Sequence, residues 1–272
     1  MTVRSEATGY VGGLHRPNTT MQTILITGCS SGFGLETARL FLDRGWTVVA
    51  TMRTPREDLF PESENLRVLP LDVTDPESVR AAVEEAGPVD VLVNNAGVGM
   101  LSIVEGTPLD AIRDLFETNV FGLMAVTQAF LPQLRERGAG VVVNVSSSTT
   151  LKPLPMLAVY TATKAAVNKF TESLALELEP VGVRVALVLP GAAPGTSFGQ
   201  NARVWMDRQG LAVPDGYGDF ADGVFASMAS HGDRPHTVAS DVAETIWRSV
   251  TDPSAPLRQP AGADAVALAQ AD

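Results

Sequence analysis

Short apolar runs separated by helical patterns make up most of this chain. Each run is rich in Val, Ile and Leu and is nearly continuous, and together they span 23–28, 47–51, 66–73, 89–97, 140–147 and 183–191. Such continuity is typical of strands that are buried on both faces of a parallel sheet. The pattern predicts an α/β fold, a doubly wound parallel sheet with helices on both faces.

Helical periodicity follows most of the runs. Apolar residues that recur every three or four positions predict long helices over about 34–45, 108–135, 157–179 and 240–250. Asp75, Pro76 and Glu77 supply the cap, the proline and the acidic residue that favour the start of a further helix. The sequence contains no internal repeat or linker that would divide it, so we predict a single domain over 21–272.

Two segments depart from this rhythm. Residues 1–20 are polar and are predicted to form a disordered extension outside the fold. Residues 197–239 are rich in Gly, Ala and Asp, and we expect them to cover the functional site as a loop or lid. Packing beneath a loop is the alternative explanation for most of the large side chains in this segment, which are Trp205, Met206, Tyr217, Phe220, Phe225 and Met228.

Composition narrows the range of functions. The 272 residues, 45% of them hydrophobic, suit one large α/β domain, and the net charge of −11 disfavours binding to nucleic acid or an anionic membrane surface. No apolar stretch approaches ~18 residues, so no membrane-spanning helix is predicted. The single cysteine, Cys29, rules out an internal disulfide and fits a reducing, cytoplasmic location. His15, His231 and His236 show no metal-ligand spacing, so no metal site is predicted.

The segment TGCSSGFG (27–34) lies between the first predicted strand and the first predicted helix. Gly28 permits a tight turn, while Gly32 and Gly34 allow a bound group and the helix to approach the backbone closely. The helix N-terminus adds free N–H groups and partial positive charge, which suit a pyrophosphate. This position favours dinucleotide binding over a purely structural turn. Cys29 is interpreted as a small turn residue without a redox role.

Tyr160 and Lys164 are four positions apart in VYTATKAAV (159–167), hence on one face of a predicted helix. A free phenol titrates near pH ~10, too high for efficient proton exchange at neutral pH. A neighbouring cation favours the phenolate and lowers that pKa. We therefore expect Lys164 to lower the pKa of Tyr160 and make it a candidate general acid/base.

Several motifs together resemble the short-chain dehydrogenase/reductase family, in its compact branch. They occur in the family's order over residues 22–191 and comprise Thr27-Gly28-x-x-x-Gly32-x-Gly34, Asn94-Asn95-Ala96-Gly97, Asn119, Ser147, Tyr160-x-x-x-Lys164 and Pro190-Gly191. The stretches ATMR (50–53) and TGCSSGFG resemble the subgroup of hydroxysteroid and retinol dehydrogenases. The resemblance implies a Rossmann-type dinucleotide-binding domain that is also catalytic.

The resemblance implies a catalytic group of four residues. Tyr160 would transfer the proton, Lys164 would also bind the nicotinamide ribose, and Ser147 would hydrogen-bond the substrate oxygen. The serines on either side of Ser147 should point away from it, because side chains alternate along a strand. Asn119 would hold a helix irregularity and a water-linked proton path, and a buried amide that satisfies the backbone is the alternative.

The same resemblance implies the cofactor contacts. Asp72 and Val73 would meet the adenine, although Asp72 could equally cap the nearby turn. Thr196 comes one residue later than the family's carboxamide-binding threonine, whose position Gly195 occupies. The remaining implied contacts are Gly28, Ser30, Ser31, Gly32, Phe33, Gly34, Asn95, Ala96, Gly97, Tyr160, Lys164, Pro190 and Gly191.

The end of the second run bears on the choice of cofactor. Met52 stands where an NAD-type aspartate would lie, and Arg53 follows it. A guanidinium binds a phosphate through paired, charge-assisted hydrogen bonds. We therefore expect NADP(H) in preference to NAD(H), the alternative being that Arg53 is a solvated loop residue.

The resemblance implies an oxidoreductase that reduces a carbonyl to an alcohol, or the reverse, by hydride transfer. The large apolar side chains of 197–239 suggest a lipophilic substrate. A dinucleotide-sensing protein without catalysis is one alternative, disfavoured because Ser147, Tyr160 and Lys164 are all present, and an epimerase or dehydratase is another. Family members are commonly dimers or tetramers, so we expect a homo-oligomer that pairs through helices 108–135 and 157–179.

Overall fold

A computed structural model of the chain describes residues 22–230 and 235–271. The predicted extension at 1–20 lies outside these residues. The strands are β1 (Thr23–Thr27), β2 (Thr47–Met52), β3 (Leu66–Pro70), β4 (Val91–Asn94), β5 (Gly140–Val145), β6 (Val183–Pro190) and β7 (Arg258–Ala261). They form a seven-stranded sheet in the order β3-β2-β1-β4-β5-β6-β7, with every neighbouring pair parallel. The predicted parallel α/β sheet is confirmed.

The helices of the described residues cover the sheet on both faces. They are α1 (Gly32–Asp43), α2 (Pro76–Ala86), α3 (Leu109–Phe116), α4 (Leu123–Arg137), α5 (Ala158–Leu178), α6 (Phe198–Arg208), α7 (Gly218–Ser230), α8 (Ala239–Thr251) and α9 (Ala263–Ala269). A π-helical segment, Glu117–Gly122, joins α3 to α4. The long helix predicted over 108–135 is therefore α3, the π segment and α4 in succession. The predicted start at Asp75 is confirmed, because its Oδ1 accepts from the N–H of Glu77 at 3.0 Å.

Successive side chains of the central strands enter two separate cores. In β1, Ile24 and Ile26 pack in the core beneath α1 and α8, whereas Leu25 packs in the core beneath α2, α4 and α5. All three side chains are fully buried. Burial on both faces is the physical reason for the near-continuous apolar runs, since each such side chain contributes roughly 1.5–3 kcal/mol when it leaves water.

The edge strand β7 is not predicted by the apolar pattern. Its sequence, RQPA, is short and polar, and it pairs with the end of β6 from Leu187↔Arg258 to Pro190↔Ala261. A proline is tolerated in such a strand because an edge leaves one side of the backbone without a ladder. The fourth apolar run, 89–97, also differs, since β4 ends at Asn94 and residues 95–97 belong to no strand or helix. The β7 strand brings α9 beneath the loop that follows β6.

Parallel strands place their carboxyl ends at one edge of the sheet. The residues that follow these ends include Gly28 after β1, Arg53 after β2, Asn95 after β4, Ser147 after β5 and Gly191 after β6. The chain order reverses between β1 and β4, which is the switch point where ligands bind in open α/β sheets. The candidate site therefore lies at this edge.

Candidate active site

The glycine-rich turn leaves the start of α1 open to a bound group. Gly28 and Gly32 have φ angles of 77° and 59°, in the region that favours glycine. A Cβ at Gly34 would lie 2.5 Å from Asn95 Nδ2 and would collide with the carbonyl oxygen of Gly28. The first turn of α1 holds no acidic residue, so the positive end of the helix dipole is not neutralised within the helix. This backbone cradle fits the pyrophosphate of a dinucleotide.

The side chains of this turn divide into accessible and buried groups. Ser30 is exposed, and Ser31, Gly32 and Phe33 are partly exposed, so a ligand can reach them. Cys29 is fully buried, and burial raises the pKa of its thiol to about 12. A thiol that stays protonated is a poor nucleophile, which supports the interpretation of Cys29 as a turn residue.

The segment after β4 is bonded to the glycine-rich turn. Asn95 donates from Nδ2 to the carbonyl oxygens of Thr27 at 2.9 Å and Gly28 at 3.2 Å. The backbone N–H groups of Asn95 and Ala96 donate to Thr27 Oγ1 at 3.0 and 2.9 Å. These bonds fix the wall of the nucleotide cradle against the end of β1.

Asn119, in the π-helical segment, holds the chain that follows this wall. Its Oδ1 accepts from Val98 N–H at 2.8 Å, and its Nδ2 donates to Val98 O at 2.9 Å and to Thr163 Oγ1 at 3.2 Å. A Cβ at Gly97 would lie 3.2 Å from Asn119 Oδ1 and 3.5 Å from Lys164 Nζ. The structure thus contains the buried amide that satisfies the backbone, and a proton path through Asn119 stays a prediction. The π turn itself is a rare feature that is frequent at functional sites.

Ser147, Tyr160 and Lys164 meet between the end of β5 and the first turns of α5. The Ser147 hydroxyl lies close enough to the Tyr160 phenol to lower its pKa slightly. Lys164 Nζ lies 5.9 Å from the centroid of the Tyr160 ring and donates to Val145 O at 3.2 Å. Ser146 Oγ instead lies 3.1 Å from the carbonyl oxygen of Lys164. Ser146 Oγ thus has hydrogen-bond partners different from those of Ser147 Oγ, and the predicted directions of the two flanking serines stay predictions.

Burial dominates the protonation of this group. It raises the pKa of Tyr160 to about 12, and the nearby Ser147 hydroxyl offsets only part of that rise. Burial also lowers the pKa of Lys164 to about 8. In the chain by itself the pKa of Tyr160 therefore lies above its ordinary value, because desolvation of the phenolate dominates. The phenol is therefore protonated at neutral pH. The lowering expected from Lys164 together with a bound oxidised nicotinamide stays a prediction.

The buried amine makes stability depend on pH. Lys164 has its pKa lowered from 10.5 to about 8, so the unfolded chain binds this proton more tightly than the folded chain. Stability therefore rises between about pH 8 and pH 10.5 and is lower below pH 8. Lys164→Met should raise the free energy of unfolding at pH 7 by up to about 3 kcal/mol, at ~1.4 kcal/mol for each pH unit between the two pKa values, and this gain should vanish near pH 10.5.

Urea unfolding of both proteins at pH 7 and pH 10 measures the effect of Lys164→Met. Lys169→Met is the matched control, because Lys169 lies on the same helix, is 81% exposed and pairs with Glu172. Its removal should change stability little and equally at both pH values. A Lys164→Met protein that is destabilised by the same amount at both pH values would contradict the assignment.

The loop after β6 reaches the glycine-rich turn. Thr196 Oγ1 donates to Ala193 O at 2.9 Å, and its Cβ would lie 3.6 Å from a Cβ placed on Gly32. Pro190 is buried at the end of β6, and Gly191 is partly exposed beside it. Although Thr196 comes one residue late in the sequence, the loop brings it over the nucleotide cradle. Its contact with the cofactor stays a prediction.

Asp264, at the start of α9, holds the loop that follows β6, and the sequence analysis did not identify it. Its Oδ2 accepts from Ala192 N–H at 2.7 Å, and its Oδ1 accepts from Thr237 Oγ1 at 2.6 Å. Gly191 must lack a side chain here, since a Cβ would collide with the Asp264 carboxylate. The residues that Asp264 holds are far from it along the chain and belong to no motif with it, so no sequence signal connects them.

The ends of β2 and β3 differ in exposure. Met52 is buried in the core, whereas Arg53, the next residue, is exposed. Asp72 Oδ1 accepts from Thr74 N–H at 3.0 Å and from Thr74 Oγ1 at 2.7 Å, and Val73 is buried. The turn-capping alternative for Asp72 is therefore confirmed, and adenine contacts of Asp72 and Val73 stay predictions.

Helices α6 and α7 follow the loop after β6, and we call residues 197–230 the lid segment. The predicted lid extended to 239, and residues 231–234 lie outside the described residues. The Phe198 ring centroid is 6.2 Å from that of Tyr160, and a Cβ at Gly99 would lie 2.7 Å from Phe198 Cε1. Met206 Sδ accepts from Leu101 N–H at 3.2 Å. The lid segment is thus packed on the loop that follows β4.

The large side chains of the lid segment do not share one environment, and Tyr217 packs on a separate apolar cluster that includes Ile103 and Met156. Trp205, Met206 and Leu211 pack against an apolar cluster that includes Met100 and Tyr160. A second set is exposed to solvent, and it comprises Phe220, Phe225 and Met228. Part of the lid segment therefore builds an apolar wall beside the phenol.

The described residues lack two features that bear on the sequence predictions. They contain no group of three or more His, Cys, Asp or Glu side chains that could hold a metal ion. Within the same residues, no helix is both long enough and apolar enough to cross a membrane. His15 and His231 lie outside the described residues.

Comparison with known proteins adds a family match. A family model described as short chain dehydrogenase matches residues 22–207. The uncharacterized oxidoreductase YusZ of Bacillus subtilis is 40% identical over 62% of this chain and 64% of its own length. The 3-ketodihydrosphingosine reductase of Bacteroides thetaiotaomicron is 39% identical over 67% of this chain and 68% of its own length. Human 17-beta-hydroxysteroid dehydrogenase type 1 is 41% identical, and the match spans 55% of that protein.

Solved structures extend the similarity over most of the chain. A short-chain dehydrogenase from Streptomyces avermitilis is 33% identical with a TM-score of 0.77, covering 93% of this chain and 92% of that one. A short chain dehydrogenase from Burkholderia cenocepacia in complex with NADP is 26% identical with a TM-score of 0.71, covering 92% of both chains. A 3-ketoacyl-(acyl-carrier-protein) reductase from Brucella melitensis complexed with NADH is 27% identical with a TM-score of 0.72, covering 88% of this chain and 96% of that one.

Proposed function

This chain belongs to the short-chain dehydrogenase family, and from that premise we propose that it reduces a carbonyl to an alcohol, or the reverse, with a nicotinamide dinucleotide. The observation that carries the proposal is the meeting of Ser147, Tyr160 and Lys164 beside the glycine-rich cradle. When bound, the reduced nicotinamide supplies a hydride to the carbonyl carbon. The family relatives with reductase and dehydrogenase names support the same class of reaction.

The chain's own residues would manage the oxygen and its proton. Ser147 donates a hydrogen bond to the carbonyl oxygen as negative charge develops there. Tyr160 transfers its phenolic proton to that oxygen, and the resulting phenolate is stabilised by the Lys164 ammonium. A phenol kept protonated by burial suits the donor role in reduction at neutral pH. Oxidation is the reverse and needs the phenolate, so a higher pH favours it.

The substrate side of the site is apolar, which supports a lipophilic carbonyl compound. Phe198 faces the Tyr160 ring, and Met100, Trp205 and Leu211 belong to or pack on the same cluster. An alkyl or ring system on the substrate would bury apolar area against these side chains, at roughly 25 cal/mol for each Å² removed from water. A small, strongly polar substrate would gain nothing comparable.

The test of this function is an absorbance assay that measures the oxidation of NADPH or NADH in the presence of each compound of a panel. The panel contains ketones and aldehydes that range from polar to lipophilic. Turnover with lipophilic carbonyl compounds is expected, with the corresponding alcohols oxidised in the reverse assay. Failure with every carbonyl and alcohol would overturn the proposal and favour a dinucleotide-sensing role. Turnover without a net change in the cofactor would instead favour an epimerase or dehydratase.

We propose NADP(H) as the preferred cofactor because Arg53 is exposed directly after the buried Met52 at the end of β2. Arg53→Asp should lower the ratio of kcat/KM with NADP to kcat/KM with NAD about 10- to 100-fold, since hydrogen bonds to charged groups contribute roughly 1.5–3 kcal/mol. Arg135→Asp is the control, because it makes the same charge change in the last turn of α4. An unchanged ratio in Arg53→Asp would show that Arg53 does not read the 2′-phosphate.

A homodimer or homotetramer remains our proposal for the assembly. Phe121, in the π segment, is 54% exposed, and Leu176, in α5, is 73% exposed. Exposed large apolar side chains on these two elements support pairing through the predicted faces, since burial would remove them from water.

A further inference from the structure

Asn168 extends the face of α5 that carries the proposed catalytic residues. It follows Lys164 by four positions and Tyr160 by eight, hence by one and two turns on the same side of the helix. Its side chain is buried, with 4% of the residue exposed. No role proposed above uses this amide, although a buried amide must have hydrogen-bond partners to be tolerated.

The two ends of the Asn168 amide bind the two flanks of Ser147. On one flank, Oδ1 accepts from Ser146 Oγ at 2.5 Å. On the other flank, Nδ2 donates to Thr150 Oγ1 at 2.9 Å. The amide therefore spans the segment that turns from the end of β5 into the following loop.

A second hydrogen bond links Thr150 to Ser147 itself. Thr150 Oγ1 accepts from Asn168 and donates its own proton to the carbonyl oxygen of Ser147 at 2.8 Å. The Ser147 hydroxyl oxygen in turn accepts from Thr149 N–H at 3.2 Å. One lone pair of Ser147 Oγ is thus occupied by the backbone, which leaves its proton for an acceptor on the side of Tyr160.

We propose that Asn168 is a positioning residue for Ser147, a role that rests on the proposed carbonyl chemistry. Asn168 does not touch the substrate. It holds the side chains of Ser146 and Thr150 on the two flanks of Ser147 and so sets the direction of the serine hydroxyl relative to Tyr160. A displacement of reacting groups by ~1 Å lowers the rate on the order of 100-fold. Loss of the Asn168 hydrogen bonds alone should lower the rate by less, because Ser147 keeps its other contacts.

The kinetic test compares Asn168→Ala with wild type and with Ser147→Ala. Asn168→Ala should lower kcat about tenfold and leave the KM for NADPH within about twofold. In the Ser147→Ala background it should lower kcat no further, because the residue it positions is gone. Thr150→Val, which removes the same link with less loss of volume, should lower kcat in the same direction. An equal loss from Asn168→Ala in both backgrounds would overturn the proposal.

Thr171→Ala is the matched control. Thr171 is fully buried on the same helix and accepts from Asn144 Nδ2 at 2.9 Å, so its removal also leaves a buried amide without its partner. Its kcat should match wild type even if its Tm falls as much as that of Asn168→Ala. A Thr171→Ala protein that loses kcat equally would overturn the assignment, since general loosening of α5 would then explain both.

Crystal structures of Asn168→Ala and Thr171→Ala give a readout that does not depend on turnover. Ser147 Oγ should move from its wild-type position in Asn168→Ala and stay in place in Thr171→Ala. An unmoved Ser147 in Asn168→Ala would overturn the positioning role whatever the activity. Absence of wild-type turnover with every carbonyl and alcohol would instead refute the proposed function.

Discussion

Tyr160→Phe is expected to lower kcat at least about a thousandfold while the Kd for NADPH changes less than about threefold. The substitution removes the phenolic oxygen, which is the proposed proton donor. It keeps the ring that packs with Met100, Leu115 and Val159, so the apolar wall of the site stays in place. The expected loss lies in the proton transfer, because neither the nucleotide cradle nor the hydride donor is altered.

Two measurements separate this outcome from unfolding of Tyr160→Phe. Fluorescence titration gives the Kd for NADPH, and thermal unfolding gives the Tm, which should stay within a few degrees of wild type because the ring still fills its place. A kcat above about a tenth of wild type would rule out Tyr160 as the general acid, since such catalysis contributes at least ~100-fold.

Gly34→Ala is expected to weaken nucleotide binding about 10- to 100-fold, since overpacking a site typically costs 1–3 kcal/mol. The new Cβ would lie 2.5 Å from Asn95 Nδ2 and would collide with the carbonyl oxygen of Gly28. A backbone carbonyl has little freedom to move, so the start of α1 must separate from the turn. The N–H groups that form the pyrophosphate cradle would then lose their arrangement.

Gly223→Ala is the control for Gly34→Ala. Gly223 lies in α7, where a Cβ meets no other atom within 4 Å, so the Kd for NADPH should equal that of wild type. Fluorescence titration measures both variants. Wild-type affinity in a folded Gly34→Ala protein would show that the close approach of α1 to Gly28 does not build the nucleotide site.

The strands that could be predicted from sequence are those with both faces buried. Ile24, Leu25 and Ile26 are all apolar because consecutive side chains enter opposite cores. The β7 strand has no such signature, since Arg258 is exposed and Gln259 is a buried polar residue that donates to Ser249 Oγ. The strand forms because it pairs with β6 and not because of its own composition, so the hydrophobic pattern of these residues does not predict it.

Some features of the site could likewise be predicted from the sequence, and others could not. The spacing of Tyr160 and Lys164 on one helix predicts their meeting, because helical geometry is local. The direction of their pKa changes depends on solvent exclusion by α5, β5 and the lid segment, which only the tertiary structure determines. Asp264 and Asn168 lie outside the recognised motifs, and their roles depend on hydrogen bonds to residues distant in sequence.

The two close approaches between the loop after β4 and the lid segment limit how segments of this protein can be exchanged with those of its relatives. A Cβ at Gly99 would lie 2.7 Å from the Phe198 ring, and a Cβ at Gly106 would lie 2.6 Å from Pro214. The loop and the lid are therefore complementary surfaces encoded about a hundred residues apart. A chimera that imports another lid should import residues 98–106 with it, because the two segments form one exchangeable unit.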